Sequence, residues 1–494
     1  MRCNASLTWG TLFAKVAFGV LPALHTGEDQ HLVAPQEALD IAQRDVPDCE
    51  NFLPYSADQN HIWNRVHRRL LERQDAQGKT WGCDEVDPLV WNESKHVLAG
   101  TAYTETVRLL GEFASTHAER LIHDPLRRAI FQRDLWAVFD WLASHDGDHP
   151  RQRAELERRL VVIIKAVALS APEIESLPDN YAQIRGSTTA DGLPLPGNST
   201  GWLLIGREDG TPVAPVHSFS SPRSVFLVYL KLPLARPEQA AYVEAMHNYS
   251  RQRPRTEDCL THACSPPQFP VDTTVALVRR ALLIDTAGRP VVSPITESVQ
   301  LRRYLEIPSR FTIDYNRVMQ QVAEFQLTRR SLPQGRIALR RVGEDEPHFP
   351  TFATQGIDFF EGHNIQGGSR TLRDCHKCHQ GIGAISFTSY SRVQFEQHNL
   401  FILMRVTTET QEVPPATAYL QSRDSWKLLQ RQNKTGFRAL GENARIHRVT
   451  VLTCGSHEKT ISRITPTRNA GLDAAAGRRG RVRLRVCGRT MQSV

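Results

Sequence analysis

The stretch Ser224-Val225-Phe226-Leu227-Val228-Tyr229-Leu230-Lys231-Leu232 decides how the chain is to be read. Four of its residues are β-branched or aromatic, and the apolar run is continuous rather than spaced at three and four. That pattern predicts a strand covered on both faces. It lies in a mixed middle region, expected as a domain over residues 186–344. Gly, Pro, Ser and Thr crowd residues 186–201 and mark a linker. Trp202–Ile205 and Val213–Val216, on either side of Glu208-Asp209-Gly210, predict a hairpin. A second hairpin is expected over Ala281–Val292, turning at Thr286-Ala287-Gly288, with helices over Pro237–Tyr249 and Ile313–Leu327.

Toward the N-terminus the period changes. Ile62, Val66, Leu70 and Leu71 recur at helical spacing, as do Val107, Leu110 and Phe113. Asp124-Pro125 pairs an N-cap residue with Pro at the first helical position, and Ile130, Leu135, Val138, Phe139 and Leu142 follow. A fourth helix is expected from about Arg151 to Leu169. Residues 58–172 are therefore predicted to form a helical domain. Without a regular βαβ alternation in the middle region, the fold class expected is α+β.

Composition narrows the classes of function. Apolar residues make up 40% and charged residues 23% of 494, as in ordinary globular proteins. No run of 18 apolar residues occurs, so a multi-span membrane protein is excluded. The formal charge of +7 is local: residues 462–494 hold eight Arg and one Asp, leaving the remainder balanced. A nucleic-acid partner is not expected from such a distribution. The basic tail is expected to be solvated, with Arg481–Val486 resembling one edge strand.

The chemistry concentrates in Cys375-His376-Lys377-Cys378-His379. In Cys-x-x-Cys-His, two thiols can each form a thioether to a haem vinyl group while the imidazole binds iron. With 9 Cys and 19 His, independent placement gives this string about 0.006 times per chain. Cys375, Cys378 and His379 are therefore the expected cofactor-binding residues, with one covalently attached haem c. The sixth iron position has several candidates: Met404 and His398 downstream, His348 and His363 upstream. Arg370 and Arg373 can reach propionates, and Gly381 and Gly383 permit close passage of the backbone. Phe387 and Tyr390 can wall a macrocycle, and Lys377 can orient an acidic partner.

The motif resembles the attachment site of the c-type cytochrome family, over a segment of about a hundred residues at most. The resemblance implies a smaller, mainly helical haem segment over residues 345–430, electron transfer or haem-based redox chemistry, and a redox partner protein. No second Cys-x-x-Cys-His occurs, so a single haem is expected. Two other readings use the same residues. A zinc-binding structural module would take Cys375, Cys378 and local His, but no second ligand pair follows at regular spacing. A dithiol oxidoreductase would want the Cys pair opening a helix after a strand.

Haem attachment of this kind takes place outside the bacterial cytoplasm. Arg2 and Lys15 precede Val16–Leu24, an apolar stretch the length of a signal-peptide core, so residues 1–24 are a candidate signal and a periplasmic or otherwise exported location is expected. Setting aside Cys3, Cys375 and Cys378, six Cys remain (Cys49, Cys83, Cys259, Cys264, Cys454 and Cys487), an even number that permits disulfides. No nucleotide-binding, serine-hydrolase or zinc-protease motif is found, so an enzymatic role is left open.

Overall fold

A computed structural model describes residues 49, 51–74, 78, 80–84, 86, 96–144, 148–185, 201–252, 267–307, 319–343, 379, 383, 384, 386, 404–442, 448–451, 459–462, 483–486 and 489–492. Its centre is a seven-stranded antiparallel sheet. After two short paired strands, β1 (Arg73–Gln74) and β2 (Thr80–Trp81), come β3 (Trp202–Arg207), β4 (Ser224–Lys231), β5 (Thr274–Ile284), β6 (Pro290–Tyr304), β7 (Gln320–Thr328), β8 (Ala338–Arg341) and β9 (Met404–Val406). The spatial order is β8-β7-β6-β5-β4-β3-β9, a meander whose far edge is closed by a strand from late in the chain. Strand β4 is buried from Ser224 to Leu230, as its unbroken apolar run requires. The combination of helices with a large antiparallel sheet is an α+β architecture.

Helices cover one face of the sheet. They are α1 (Ile62–Leu71), α2 (Gly100–Ser115), α3 (Pro125–Ser144) and α4 (Pro150–Ala166). The helical residues Leu135, Val138, Leu160 and Ile164 share one core with the strand residues Leu204, Val225, Leu227, Val278 and Val299. The expected start of α3 is present: Asp124 Oδ1 accepts from the Arg127 amide at 2.9 Å.

Helix α3 is buried almost all round, and its polar residues lock it to the sheet. Gln132 clamps the backbone of Ile284, donating to its carbonyl at 2.8 Å and accepting from its amide at 2.9 Å. Arg133 forms a bidentate pair with Glu297 at 2.7 and 2.9 Å. Asp134 receives two bonds of 2.6 Å from Arg329 and one of 2.8 Å from the Tyr55 hydroxyl. Asp140 pairs with Arg223 at 2.5 Å. Buried charges are tolerated because each is matched in this way.

Glu297 owes its position to a bulge. Arg279 faces Ser298 and Arg280 faces Thr296, so Glu297 is an extra residue in β6. Its carboxylate collects Arg133, Arg279 and the Ser224 hydroxyl.

The rest of the molecule consists of short helices α5 (Ala171–Glu175), α6 (Asn180–Arg185) and α7 (Pro215–Ser220), then α8 (Arg236–Gln252), α9 (Glu409–Ser422) and α10 (Asp424–Glu442). Two short hairpins follow, β10 (Arg448–Val451) with β11 (Lys459–Ser462) and β12 (Arg483–Val486) with β13 (Arg489–Gln492). The turn at Thr286–Gly288 lies where the sequence places it, between longer strands than expected. Two expectations are corrected. Val213–Val216 is not the second arm of a hairpin: Pro215 opens helix α7, and β3 pairs with β4 instead. Pro has no N–H for a ladder but suits the first turn of a helix. The helix expected over Ile313–Leu327 is, in its described part, strand β7 between β6 and β8.

Cys49 and Cys83 form a disulfide; the other Cys lie outside the described residues. No helix among the described residues is long and apolar enough to cross a membrane. The candidate signal at residues 1–24 and most of the expected haem segment (345–403) likewise lie outside the described residues.

His67 predicts a pH effect. It is buried in α1, edge-on to Tyr55 at 5.7 Å, with Glu72 Oε1 at 3.5 Å. Burial pushes its pKa below the usual value, overcoming the opposing pull of Glu72. A folded pKa below the unfolded value near 6.5 means that its stability contribution is whole above that pH and declines as pH falls toward the folded value. Urea unfolding at pH 7 and pH 5 should therefore show a smaller pH-dependent loss for His67→Leu than for the native chain. The difference is at most about 1.4 kcal/mol per pH unit.

Candidate functional site

The face of the sheet opposite helices α1–α4 carries the second set of alternating side chains. Ile205, Val228, Leu230 and Tyr304 form a cluster there with Val243 and Met246 of α8 and with Phe269 and Ala384. Strand register carries Arg302 beside Val275 and Val322, and Tyr304 opposite Gln320. Against this surface sit the described residues of the motif segment.

His379 is fixed through both its backbone and its ring. Gln320 Nε2 donates to its carbonyl at 3.2 Å. Its Nδ1 lies 2.7 Å from the Ser386 carbonyl oxygen. A carbonyl can only accept, so Nδ1 carries the proton and Nε2 is the basic nitrogen. Ser386 is anchored in turn: its Oγ lies 2.8 Å from the Tyr304 hydroxyl and donates to the Gly383 carbonyl at 2.8 Å. Burial keeps the Tyr304 phenol neutral by raising its pKa.

Gly383 has φ +49°, and a Cβ there would collide with Gln268 Oε1 and press within 3.2 Å of Ile307. Gln268 Oε1 accepts from the neighbouring Ala384 amide at 3.2 Å. The close approach that this glycine permits is to Gln268 and Ile307 of the protein itself.

The ring beside His379 is one that sequence reasoning missed. His217, in α7, lies with its centroid 6.2 Å from that of His379 and its plane tilted by only 11°. Phe226 of β4 flanks it at 5.5 Å. Helix α7 holds His217 through backbone bonds from the Ser218 amide to the Ala214 carbonyl (2.9 Å) and from the Ser221 amide to the His217 carbonyl (2.8 Å). Neither ring nitrogen of His217 makes a hydrogen bond among the described residues.

Both imidazoles are held neutral. Burial lowers the His217 pKa to about 4, helped by the positive charges of Arg302 and Arg279. Burial also lowers that of His379 well below the ordinary value, with Arg302 and then His217 contributing. Arg302 has a buried Nε without a hydrogen bond, and no carboxylate pairs with it among the described residues. Two neutral nitrogen bases therefore lie beside a guanidinium for which no carboxylate partner is seen among the described residues. No cluster of three or more His, Cys, Asp or Glu among the described residues forms a metal site by itself.

Of the residues singled out from sequence, His379 is placed as described. Met404 opens β9 at the sheet edge, with its backbone opposite Arg207. Cys375, Cys378, His398, His348, His363, Arg370 and Arg373 lie outside the described residues. His217 is 162 residues before His379, and nothing local to Pro215-Val216-His217-Ser218 distinguishes it from a surface histidine. The chain matches no protein-family model, no curated protein and no solved structure.

Proposed function

We propose that the chain is an exported haem c protein serving electron transfer or haem-based redox chemistry. Cys375 and Cys378 carry the thioether attachments, His379 is the proximal iron ligand, and residues 345–430 form the cytochrome c-like segment. The observation that carries this reading is the bond between His379 Nδ1 and the Ser386 carbonyl. A ligating histidine commonly donates its other N–H to a carbonyl or carboxylate, which fixes ring orientation and raises ligand basicity. Here that donation leaves Nε2 as the nitrogen with the lone pair. The haem, when bound, supplies one-electron redox chemistry.

The protein's own groups do the rest. Tyr304, Ser386 and Gln320 hold the His379 backbone and ring at fixed orientation. Arg302 offers its unbonded Nε to an anionic substituent. Burial lowers the basicity of the His379 imidazole toward protons, so it would not be lost as a ligand through protonation near neutral pH. The Cys49–Cys83 disulfide supports an oxidising compartment. A separate redox protein is the expected partner.

The test is periplasmic expression with haem-maturation machinery, followed by a denaturing gel stained for haem. Stain that survives denaturation and disappears in Cys375→Ala/Cys378→Ala is the expected result. A stain-free protein carrying stoichiometric zinc would overturn the reading in favour of a structural zinc module.

A further inference from the structure

We propose that His217 is the second axial ligand of the haem, bound to the iron opposite His379, so that the centre is six-coordinate with two imidazoles. The proposal rests on the haem reading above and goes beyond it by filling the position that no residue near the motif filled.

Metal–imidazole bonds are about 2 Å long, and each ring centre lies about 1 Å beyond its bonding nitrogen. Two imidazoles on opposite sides of one ion therefore have centroids about 6 Å apart. Two imidazoles at tetrahedral angles around zinc come to about 5 Å, and two adjacent ligands of an octahedron come closer still. The observed separation is 6.2 Å. It matches the opposed arrangement and exceeds what a tetrahedral site needs. The 11° between planes is compatible with two rings that address one axis from its two ends.

The surroundings agree with that role. His217 is partly buried and makes no hydrogen bond among the described residues. Its ring is positioned by the backbone of α7 and the face of Phe226. Arg302 bears on both rings and has a buried Nε without a hydrogen bond, a donor suited to an anionic substituent. The competing candidate Met404 stands on β9 at the sheet edge, and its backbone is committed to pairing with Arg207.

The measurement is the optical and electron paramagnetic resonance spectrum of the purified, haem-loaded full chain. The native ferric protein should be wholly low-spin, without the long-wavelength sulfur-to-iron band of methionine ligation. Its reduced form should not bind carbon monoxide. His217→Gly should convert the ferric centre to high-spin and open it to carbon monoxide, and added imidazole should restore the low-spin spectrum. Met404→Leu should change nothing.

A His217→Gly protein that keeps a low-spin, carbon-monoxide-inert centre overturns the proposal, as does a sulfur-to-iron band in the native protein. Should His217→Gly fail to fold, His217→Met decides. Appearance of the methionine band supports the proposal, and an unaltered bis-imidazole spectrum overturns it. A native protein that takes no haem stain removes the haem reading itself. Stained protein with an unchanged variant spectrum removes only His217.

Discussion

Replacing Glu297 with Ala should lower the unfolding free energy by about 3–5 kcal/mol, because it removes the bidentate carboxylate partner of the buried Arg133 guanidinium. Arg133 is fully buried in α3, and its Nε and one terminal nitrogen reach Glu297 at 2.7 and 2.9 Å. The same carboxylate also holds Arg279 at 3.0 Å and accepts from the Ser224 hydroxyl at 2.6 Å. Removing it leaves a cationic pocket between helix and sheet. The double change Arg133→Met/Glu297→Leu removes both charges and fills the space, so it should cost far less. Urea unfolding of the three proteins distinguishes the cases. A Glu297→Ala loss below about 1 kcal/mol would mean that water reaches the site and the pair is not desolvated.

Trp63→Ala should cost about 3–5 kcal/mol for a different reason, the cavity it leaves. Trp63 has no exposed surface and packs against Tyr55, Phe113 and Phe131 at ring separations of 5.7, 5.6 and 4.3 Å. Its indole nitrogen donates to the Ala118 carbonyl at 2.8 Å. Trp63→Phe keeps most of the ring contact but loses that bond, leaving the Ala118 carbonyl with the Leu121 amide at 3.1 Å, at a cost of about 0.5–1.5 kcal/mol. Thermal unfolding should rank native above Trp63→Phe above Trp63→Ala. If the two variants melt together, the hydrogen bond rather than ring packing is the larger contribution.

Much of the helical layer was legible because its signals are local. Ile62, Val66 and Leu70 recur at the helical period on the face that α1 buries, and Asp124-Pro125 starts α3 in the expected way. The run from Ser224 to Lys231 announces a strand covered on both sides, and Thr286–Gly288 announces its turn. The errors fell where short apolar runs fit either period. Val213–Val216 satisfies a strand pattern, but β3 already has β4 on one side and β9 on the other. The apolar residues of 313–327 can be spaced as a helix, yet from Gln320 onward the backbone fills a gap between two strands.

The site was half legible. Cys-x-x-Cys-His marks His379 by spacing alone. His217 comes beside it only because α7 leads into β4 while Tyr304 and Gln320, on β6 and β7, anchor the motif segment. A search confined to the motif's neighbours could find Met404 or His398, but not a residue delivered by strand register. Glu297 was hidden likewise, since its reach to Arg133 depends on a bulge that no periodicity shows.

Strand β9 has a consequence for how the chain is made. Residues 404–406 cover the outer edge of β3, pairing Met404 with Arg207 and Val406 with Ile205. Helix α9 then seats Glu412 so close to Gly206 that any side chain there would strike its carboxylate. About 200 residues separate the edge from the strand that covers it, which at roughly 5–20 residues per second is about 10–40 seconds of synthesis. Throughout that interval β3 presents open backbone donors and acceptors to any other extended chain. The nascent protein therefore carries a sticky margin that its own later sequence blunts once residue 406 has emerged.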